Sequence, residues 1–494
     1  MKKICLSLIL LAGLDSHAQH LSFSGVITPS HPVPVSDTYD GLYWKQNTVF
    51  LEPDTAGRFY KVIAAASPKW LWLGEEERRK LILLSPGRSL DIALNHGQCT
   101  FSGTAQPEND LIASLKLETT KHLPFIKETG YTASPIDSII RFKLPGMLHM
   151  MDSVQQLVQR AALPESVRQI VRTEVKYYYA KAIAGDLAYW LNRGHNREAF
   201  HLRFIDTVQS YFPVPSAEEL AVSNTANAYL AELFSQRAWK AFYTYQKTRN
   251  DSLFLATTGT SMAVLRKAVE SSSEVPVFTK QLRALLPPYA WERHMNNVLY
   301  RFCRTGQLEE ATQLLAFIRE HTKDAQLLAD AAAMYAPVKL ARDANAGSRQ
   351  IRIRPDYQSV SSMDAILAPY SGKVVLIDLW GTWCPPCIRE MVYGPALKKR
   401  FEGKDVIFLY IARDEDDDDG KWRDFILVNN VAGEHIRMNK QEIGMVWDAL
   451  GVKEEDRSYP RYVIVDKAGK IVVKEAKRPG DGEALYREVM DVLR

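Results

Sequence analysis

Val374-Val375-Leu376-Ile377-Asp378-Leu379-Trp380 runs into Gly381-Thr382-Trp383 and then into Cys384-Pro385-Pro386-Cys387, and no other stretch of this chain limits its fold so tightly. A short apolar run closed by a glycine predicts a buried strand. Two prolines directly after Cys384 predict the first turn of a helix, where their missing N–H groups cost little. The first thiol then stands at a helix amino end, whose partial positive charge favours a thiolate.

The flanks of the C-x-x-C discriminate among its uses. Ile388 stands where c-type haem attachment needs a histidine. The other cysteines, Cys5, Cys99 and Cys303, stand singly and far apart, so no second ligand pair completes a zinc site and no metal is expected. A structural disulfide closing so short a loop would restrain the unfolded chain little. Strand, aromatic flank, paired thiols and helix in that order favour redox chemistry.

With the second block Ser458-Tyr459-Pro460-Arg461-Tyr462-Val463-Ile464-Val465-Asp466 and Gly469, the last third of the chain resembles the thioredoxin superfamily. Within it, the resemblance is to the TlpA/ResA-like thiol-disulfide oxidoreductases of bacterial envelopes. It implies an α/β thioredoxin-like domain that needs no cofactor. Cys384 would be the exposed nucleophile, forming a mixed disulfide that Cys387, about one helical turn further on, resolves. Asp378, six residues before Cys384, matches a buried acid behind the second cysteine in thioredoxin, although TlpA/ResA-like relatives often carry other residues there. Buried near thiols, it would have a raised pKa and could take the proton from Cys387; the alternative is a strand-end carboxyl bonded to backbone. The resemblance makes Pro460 cis, gives Tyr459 backbone groups that pair with an extended substrate, and places Trp383 on the groove's rim. Trp380, on a buried strand, reads as core. Expected partners are disulfide-bearing proteins and an electron-donor thiol protein. With prolines at 385 and 386 supplying no N–H and no histidine adding charge, the pair is expected to be a reductant, nearer thioredoxin's about −270 mV than DsbA's about −120 mV.

Compartment follows from the other end. Met1-Lys2-Lys3, an apolar run from Ile4 to Leu14 and Ser16-His17-Ala18 predict a signal peptide over 1–18, cleaved before Gln19, and a periplasmic or cell-envelope location. No cysteine stands where a lipoprotein anchor would need one, and no later run reaches the ~18 apolar residues of a membrane span, so no transmembrane segment is expected. A net charge of +4, from 62 basic and 58 acidic residues, gives no reason to expect nucleic acid or an anionic membrane as partner.

The 494 residues exceed what one core serves, and the pattern divides them. Short apolar runs punctuated by Pro and Gly predict a small antiparallel β domain over 19–105. Its run Leu83-Leu84-Ser85-Pro86-Gly87, Leu90-Asp91-Ile92, Phe101-Ser102-Gly103 and Glu108-Asn109-Asp110 resembles the β modules that precede thioredoxin-like domains in exported Bacteroidetes-type proteins. Amphipathic stretches at helical spacing, with starts and stops at Pro164, Pro215-Ser216 and Gly306, predict an all-α region over 106–343. Gly306 to Leu315 is similar to one tetratricopeptide repeat, but no second copy follows at a fixed period. Ala344 to Ser348 reads as a boundary, and the thioredoxin-like domain is expected over 349–494, opening with an alternating strand from Ile351 and ending in a helix near Ala484 to Leu493.

Several residues keep two readings. Glu390, three past Cys387, faces either the site or solvent. The run Asp414 to Asp419 lacks the EF-hand spacing and is expected to be a solvated acidic lead into a helix around Trp422. Cys99 and Cys303 read as buried single thiols, with a bridge between them allowed in an oxidising compartment. The leading function is an exported protein-disulfide reductase. The alternatives are an envelope binding protein with a secondary redox domain, and a peroxiredoxin-type peroxidase, whose Pro-x-x-x-Thr approach to the cysteine is not present.

Overall fold

The computed structural model describes residues 20–28, 33–37, 48–64, 67–74, 79–127, 134–191, 197–271 and 276–494. The proposed signal peptide lies outside them. Among them no helix is long and apolar enough to cross a membrane. The described residues up to Gln236 and those from Arg237 onward form two compact units.

The first unit opens with eight strands: β1 His20–Thr28, β2 Val33–Asp37, β3 Thr48–Leu51, β4 Arg58–Ala64, β5 Lys69–Leu73, β6 Lys80–Leu84, β7 Leu90–Asn95 and β8 Gln98–Ser102. They make two four-stranded sheets, ordered β4-β1-β7-β8 and β3-β2-β5-β6. Period-two patterning buries one face of each: Leu21, Phe23 and Ile27 of β1 meet Val33, Val35, Leu71, Leu73, Ile82 and Leu84 in one core. The pairs are antiparallel except β1 with β7, where Phe23 aligns in parallel with Leu90. That exception is a non-local pairing that a hairpin-by-hairpin reading of the sequence cannot supply.

Helices follow, among them Leu144–Arg160, Glu165–Lys181 and Asn224–Thr248. Ser216 does start a helix, and the reciprocal partner is Glu219: the Glu219 N–H donates to Ser216 Oγ at 3.2 Å and the Ser216 N–H to Glu219 Oε2 at 2.9 Å. In the second unit, helices Pro288–Thr305, Leu308–His321 and Ala325–Asn345 precede the C-terminal sheet, and the last two pack on its helix Asp419–Val428. Arg342 Nε meets Asp424 at 3.0 Å and Asn345 donates to the Leu427 carbonyl at 2.8 Å. Gly306 ends the first of these helices at φ +71°, and a Cβ there would stand 2.5 Å from the Phe425 Cα, so conformation and close approach both require glycine.

The C-terminal sheet is mixed and six-stranded, ordered β14-β13-β10-β11-β12-β9, from β9 Ile351–Ile353, β10 Val374–Trp380, β11 Val406–Arg413, β12 Gly433–Met438, β13 Arg461–Val465 and β14 Ile471–Val473. Strand β10 runs parallel to β11 and antiparallel to β13, and all seven of its residues are buried. Val375, Ile377 and Leu379 enter a core with both C-x-x-C cysteines, whereas Val374 and Leu376 pack beneath Leu397, Phe401, Leu485 and Val489. The architecture is therefore β-rich, then helical, then thioredoxin-like α/β. Strand β12 and helix Gly444–Leu450 were not anticipated between β11 and β13.

Candidate active site

Strand β10 delivers the chain into a tight turn in which the Cys384 N–H donates to the Gly381 carbonyl at 3.0 Å. Cys384 then caps helix Pro385–Glu390, accepting the Cys387 N–H on its sulfur at 3.3 Å. Cys384 and Cys387 are joined as a disulfide with Cα atoms 5.4 Å apart. Cys384, expected to be exposed, is only 3% exposed, and Cys387 is fully buried. The sulfur turns inward to its disulfide partner and to the helix N–H, leaving its neighbour Trp383 as the exposed residue of the turn at 45%.

Both corner residues of that turn are tied to the end of β11. The Trp383 Nε1–H donates to the Arg413 carbonyl at 2.6 Å, and the Arg413 guanidinium lies 5.3 Å from its ring. Gly381 allows this, because a Cβ there would fall 2.5 Å from Trp383 Nε1 and 2.8 Å from that carbonyl. Thr382 donates its N–H to both oxygens of Asp414, at 3.2 and 3.1 Å, and its hydroxyl to one of them at 2.5 Å. Asp414 is fully buried, against the expectation of a solvated acidic run. Four others of the run are paired: Asp416 and Asp419 hold the buried Arg437 at 2.8 and 3.0 Å, Glu415 pairs with Arg413 at 2.7 Å and Asp418 with Lys421 at 3.5 Å, while Asp416 and Asp417 remain exposed.

The second block meets the first at Tyr459. The Tyr459–Pro460 peptide is cis. The Tyr459 ring stands edge-on to Trp383 and to Trp447, with centroids 5.4 Å apart in each case, and its hydroxyl accepts the Trp447 Nε1–H at 3.1 Å. It also packs against the core that contains both cysteines. Trp447, on the unanticipated helix, was not among the candidate residues.

Asp378 lies on the other face of β10, under the helix that begins at Pro385. It lines a cavity of about 20 Å³ with Glu390, Met391, Tyr410 and Tyr462, a space that matches one water molecule. Burial pushes its carboxyl up to about 8; the Tyr462 hydroxyl opposes the shift, the Glu390 charge adds to it and Lys398 opposes it. Its Oδ1 is buried without a hydrogen-bond partner. Glu390 faces inward, not to solvent: it is buried, and its Oε2 accepts the Gly480 N–H at 2.8 Å. Cys387, three residues before Glu390 on the same helix, packs in the core with Val375, Ile377 and Leu379, while Glu390 and Met391 line the cavity beside Asp378. Cys99 and Cys303 are both free, with burial pushing each thiol up to about 12, which makes them inert.

Residues 361–489 match the Redoxin family. A thiol-disulfide oxidoreductase ResA from Bacillus thuringiensis subsp. konkukian is 30% identical over 106 residues, which are 22% of this chain and 44% of the relative. Another ResA, from Oceanobacillus iheyensis, is 31% identical over 94 residues, 18% of this chain and 49% of the relative. The chain thus spans about half the length of these relatives. The crystal structure of the thioredoxin domain of a thiol-disulfide oxidoreductase from Bacteroides vulgatus has 24% identity and a TM-score of 0.23, covering 26% of this chain and 84% of that one. The C-terminal stretch that matches this family is similar to proteins named thiol-disulfide oxidoreductases.

Proposed function

We propose that this chain is an exported thiol-disulfide oxidoreductase that reduces protein disulfides with Cys384 and Cys387. The observation that carries the reading is their bonding to each other across the first turn of helix Pro385–Glu390, which is the oxidised end state of such a reaction. In the reduced protein the Cys384 thiolate attacks one sulfur of a substrate disulfide. That S–S bond breaks, a Cys384–substrate disulfide forms and the first substrate thiolate takes up a proton. Cys387 loses its proton and attacks Cys384 Sγ, expelling the second substrate thiolate. Two electrons have passed to the substrate, and a donor dithiol must return them to the Cys384–Cys387 disulfide.

In this reading Asp378 accepts the Cys387 proton, Trp383 and Tyr459 form the aromatic wall beside the reacting sulfur, and Pro460 holds the loop on which a substrate strand pairs. The run Met1 to Ala18 exports the protein to the periplasm or cell envelope. Residues 19–105 and 106–343 serve as the β-rich and helical parts that bring partners to the redox domain over 349–494. The ResA relatives, named as thiol-disulfide oxidoreductases, support the activity.

The chain from Gln19 onward, supplied with dithiothreitol, should speed insulin-disulfide reduction well beyond dithiothreitol alone, and Cys384→Ser should remove the gain. No acceleration by the wild type would sink the reading. Its potential should lie nearer about −270 mV than about −120 mV, because Pro385 and Pro386 leave the thiolate few N–H donors. Equilibration with glutathione buffers measures it, and a value above roughly −180 mV would make the protein an oxidase or isomerase instead.

A further inference from the structure

The residues that present the Cys384 sulfur are held by a group outside both sequence blocks. Strands β10 and β11 are parallel with Trp380 opposite Ala412, so the Gly381–Cys384 turn leaves the sheet beside Arg413 and Asp414. The turn's two corners, Thr382 and Trp383, have their polar hydrogens committed to those two residues. Asp414 is itself fixed at both backbone ends, its N–H donating to the Met438 carbonyl at 3.1 Å and its carbonyl accepting from Arg437 at 3.0 Å. Arg437 in turn is clamped by Asp416 and Asp419, and Asp419 accepts the Tyr357 hydroxyl at 2.6 Å. A polar platform centred on the buried Arg437 and Asp414, with each of these partners satisfied, is restrained, and it meets the redox turn at one carboxylate.

We propose that Asp414 is a positioning residue for the thiol chemistry: acting through Thr382, its carboxylate fixes the Gly381–Cys384 turn and so holds the Cys384 sulfur at the helix amino end. The inference rests on the reading of Cys384 as nucleophile. A carboxylate suits the task because its two oxygens accept the Thr382 N–H and hydroxyl together. Loosening the turn lets the sulfur leave the helix N–H groups that favour its ionised form, so the thiolate should become harder to form.

The charged and titratable groups around Asp414 are Asp418 and Lys421 after β11, Arg437 on β12 and Tyr459 from the cis-proline loop. Burial pushes the Asp414 carboxyl up to about 6, against the pull of the Thr382 hydrogen bonds and of Lys421 and with the push of Asp418. The brace is therefore strongest well above pH 6 and is progressively lost as the pH falls through about 6, as the added proton removes an acceptor from the pair.

The decisive measurement is the rate of Cys384 alkylation by iodoacetamide against pH in the fully reduced chain, with the modified cysteine identified by mass. Asp414→Asn and Thr382→Val should both move the alkylation midpoint upward by about one pH unit, which slows alkylation about tenfold at pH values well below the wild-type midpoint. Thr382→Ser should recover most of the rate lost in Thr382→Val. The two variants separate causes. Removing a nearby negative charge would by itself ease thiolate formation and move the Asp414→Asn midpoint downward, and Thr382→Val changes no charge. A midpoint that falls or stays in Asp414→Asn, or a Thr382→Val rate within twofold of wild type, overturns the proposal. Should Asp414→Asn lose its circular-dichroism spectrum, the Thr382 pair alone decides it. Wild type that fails to reduce insulin while both variants shift as expected would overturn the function and leave this inference standing.

Discussion

Cys387→Ser is expected to turn the protein from a catalyst into a trap, holding each substrate on Cys384 as a mixed disulfide that only added reductant releases. The expectation follows from the division of labour between the two sulfurs. Cys384 can still open a substrate disulfide, because its helix-cap position depends on the backbone of residue 387 and not on its side chain: the N–H that meets Cys384 Sγ remains in the serine variant. What is lost is the intramolecular attack that ends the intermediate. That attack gains from a sulfur held one turn away with Cα atoms 5.4 Å apart, where effective molarities far exceed any free thiol concentration. Turnover with insulin should drop at least about a thousandfold. Non-reducing electrophoresis should show a substrate-sized adduct, whose mass locates it on Cys384. Cys384→Ser should give neither turnover nor adduct, since Cys387 sits one turn inside the helix that Cys384 caps and has no part in the first attack. Adducts on Cys387, or equal trapping by both variants, would reverse the roles assigned to the two cysteines. Run in a whole-cell extract, the same variant would identify the proteins that the redox domain serves.

The sequence carried the redox domain because its apolar pattern and its punctuation agree. β10 is a continuous apolar run because both its faces are covered, and the prolines after Cys384 start a helix in the position where proline is tolerated. Strand β12 is illegible for the opposite reason. Its Gly433-Glu434-His435-Ile436-Arg437-Met438 buries a histidine and an arginine, so no hydrophobic period marks it. His435 is kept neutral by burial, its pKa pushed down to about 3, with its ring stacked on Tyr410 and Nε2 against the Val431 carbonyl at 2.7 Å. Arg437 is affordable only because Asp416 and Asp419 pair with it, and those partners stand in a run that reads, residue by residue, as solvent-facing charge. Asp414 is hidden in the same way: nothing in six successive acidic residues tells which one turns inward, since that is decided by the register of β11 against β10. Glu390 was poised between site and surface by helical spacing alone, and the Gly480 N–H, ninety residues on, decides it.

Asp378→Asn should stabilise the fold and slow the reaction, and the opposition of those two signs separates a working acid from a structural one. In the folded chain the carboxyl keeps its proton to about pH 8, whereas unfolded it ionises near the usual 3.8. Below pH 4 both states are protonated and the buried acid contributes its full stability. From there to pH 8 the unfolded state ionises and the folded state does not, so stability is lost steadily as pH rises, and above 8 the loss is complete. At pH 7 the difference is roughly 2–4 kcal/mol, taking about half to all of the 1.36 kcal/mol per unit that the shift implies. Asparagine carries no ionisation to suppress, so urea unfolding of Asp378→Asn should show a stability gain that is small at pH 4.5 and grows toward pH 8. The same substitution should slow insulin reduction about tenfold or more at pH 8, since no group then takes the Cys387 proton as that sulfur attacks. The wild-type rate should rise through pH 8 with the Asp378 ionisation, and the variant should lack that rise. Glu390, Lys398 and the hydroxyls of Tyr410 and Tyr462 surround the carboxyl in both proteins, so any shared pH response belongs to them or to the thiols. A variant that is stabilised but reduces insulin at the wild-type rate would make Asp378 a buried strain without a part in proton transfer. A variant that is destabilised at pH 7 would mean that the carboxyl is ionised in the fold and held by partners that the amide cannot satisfy.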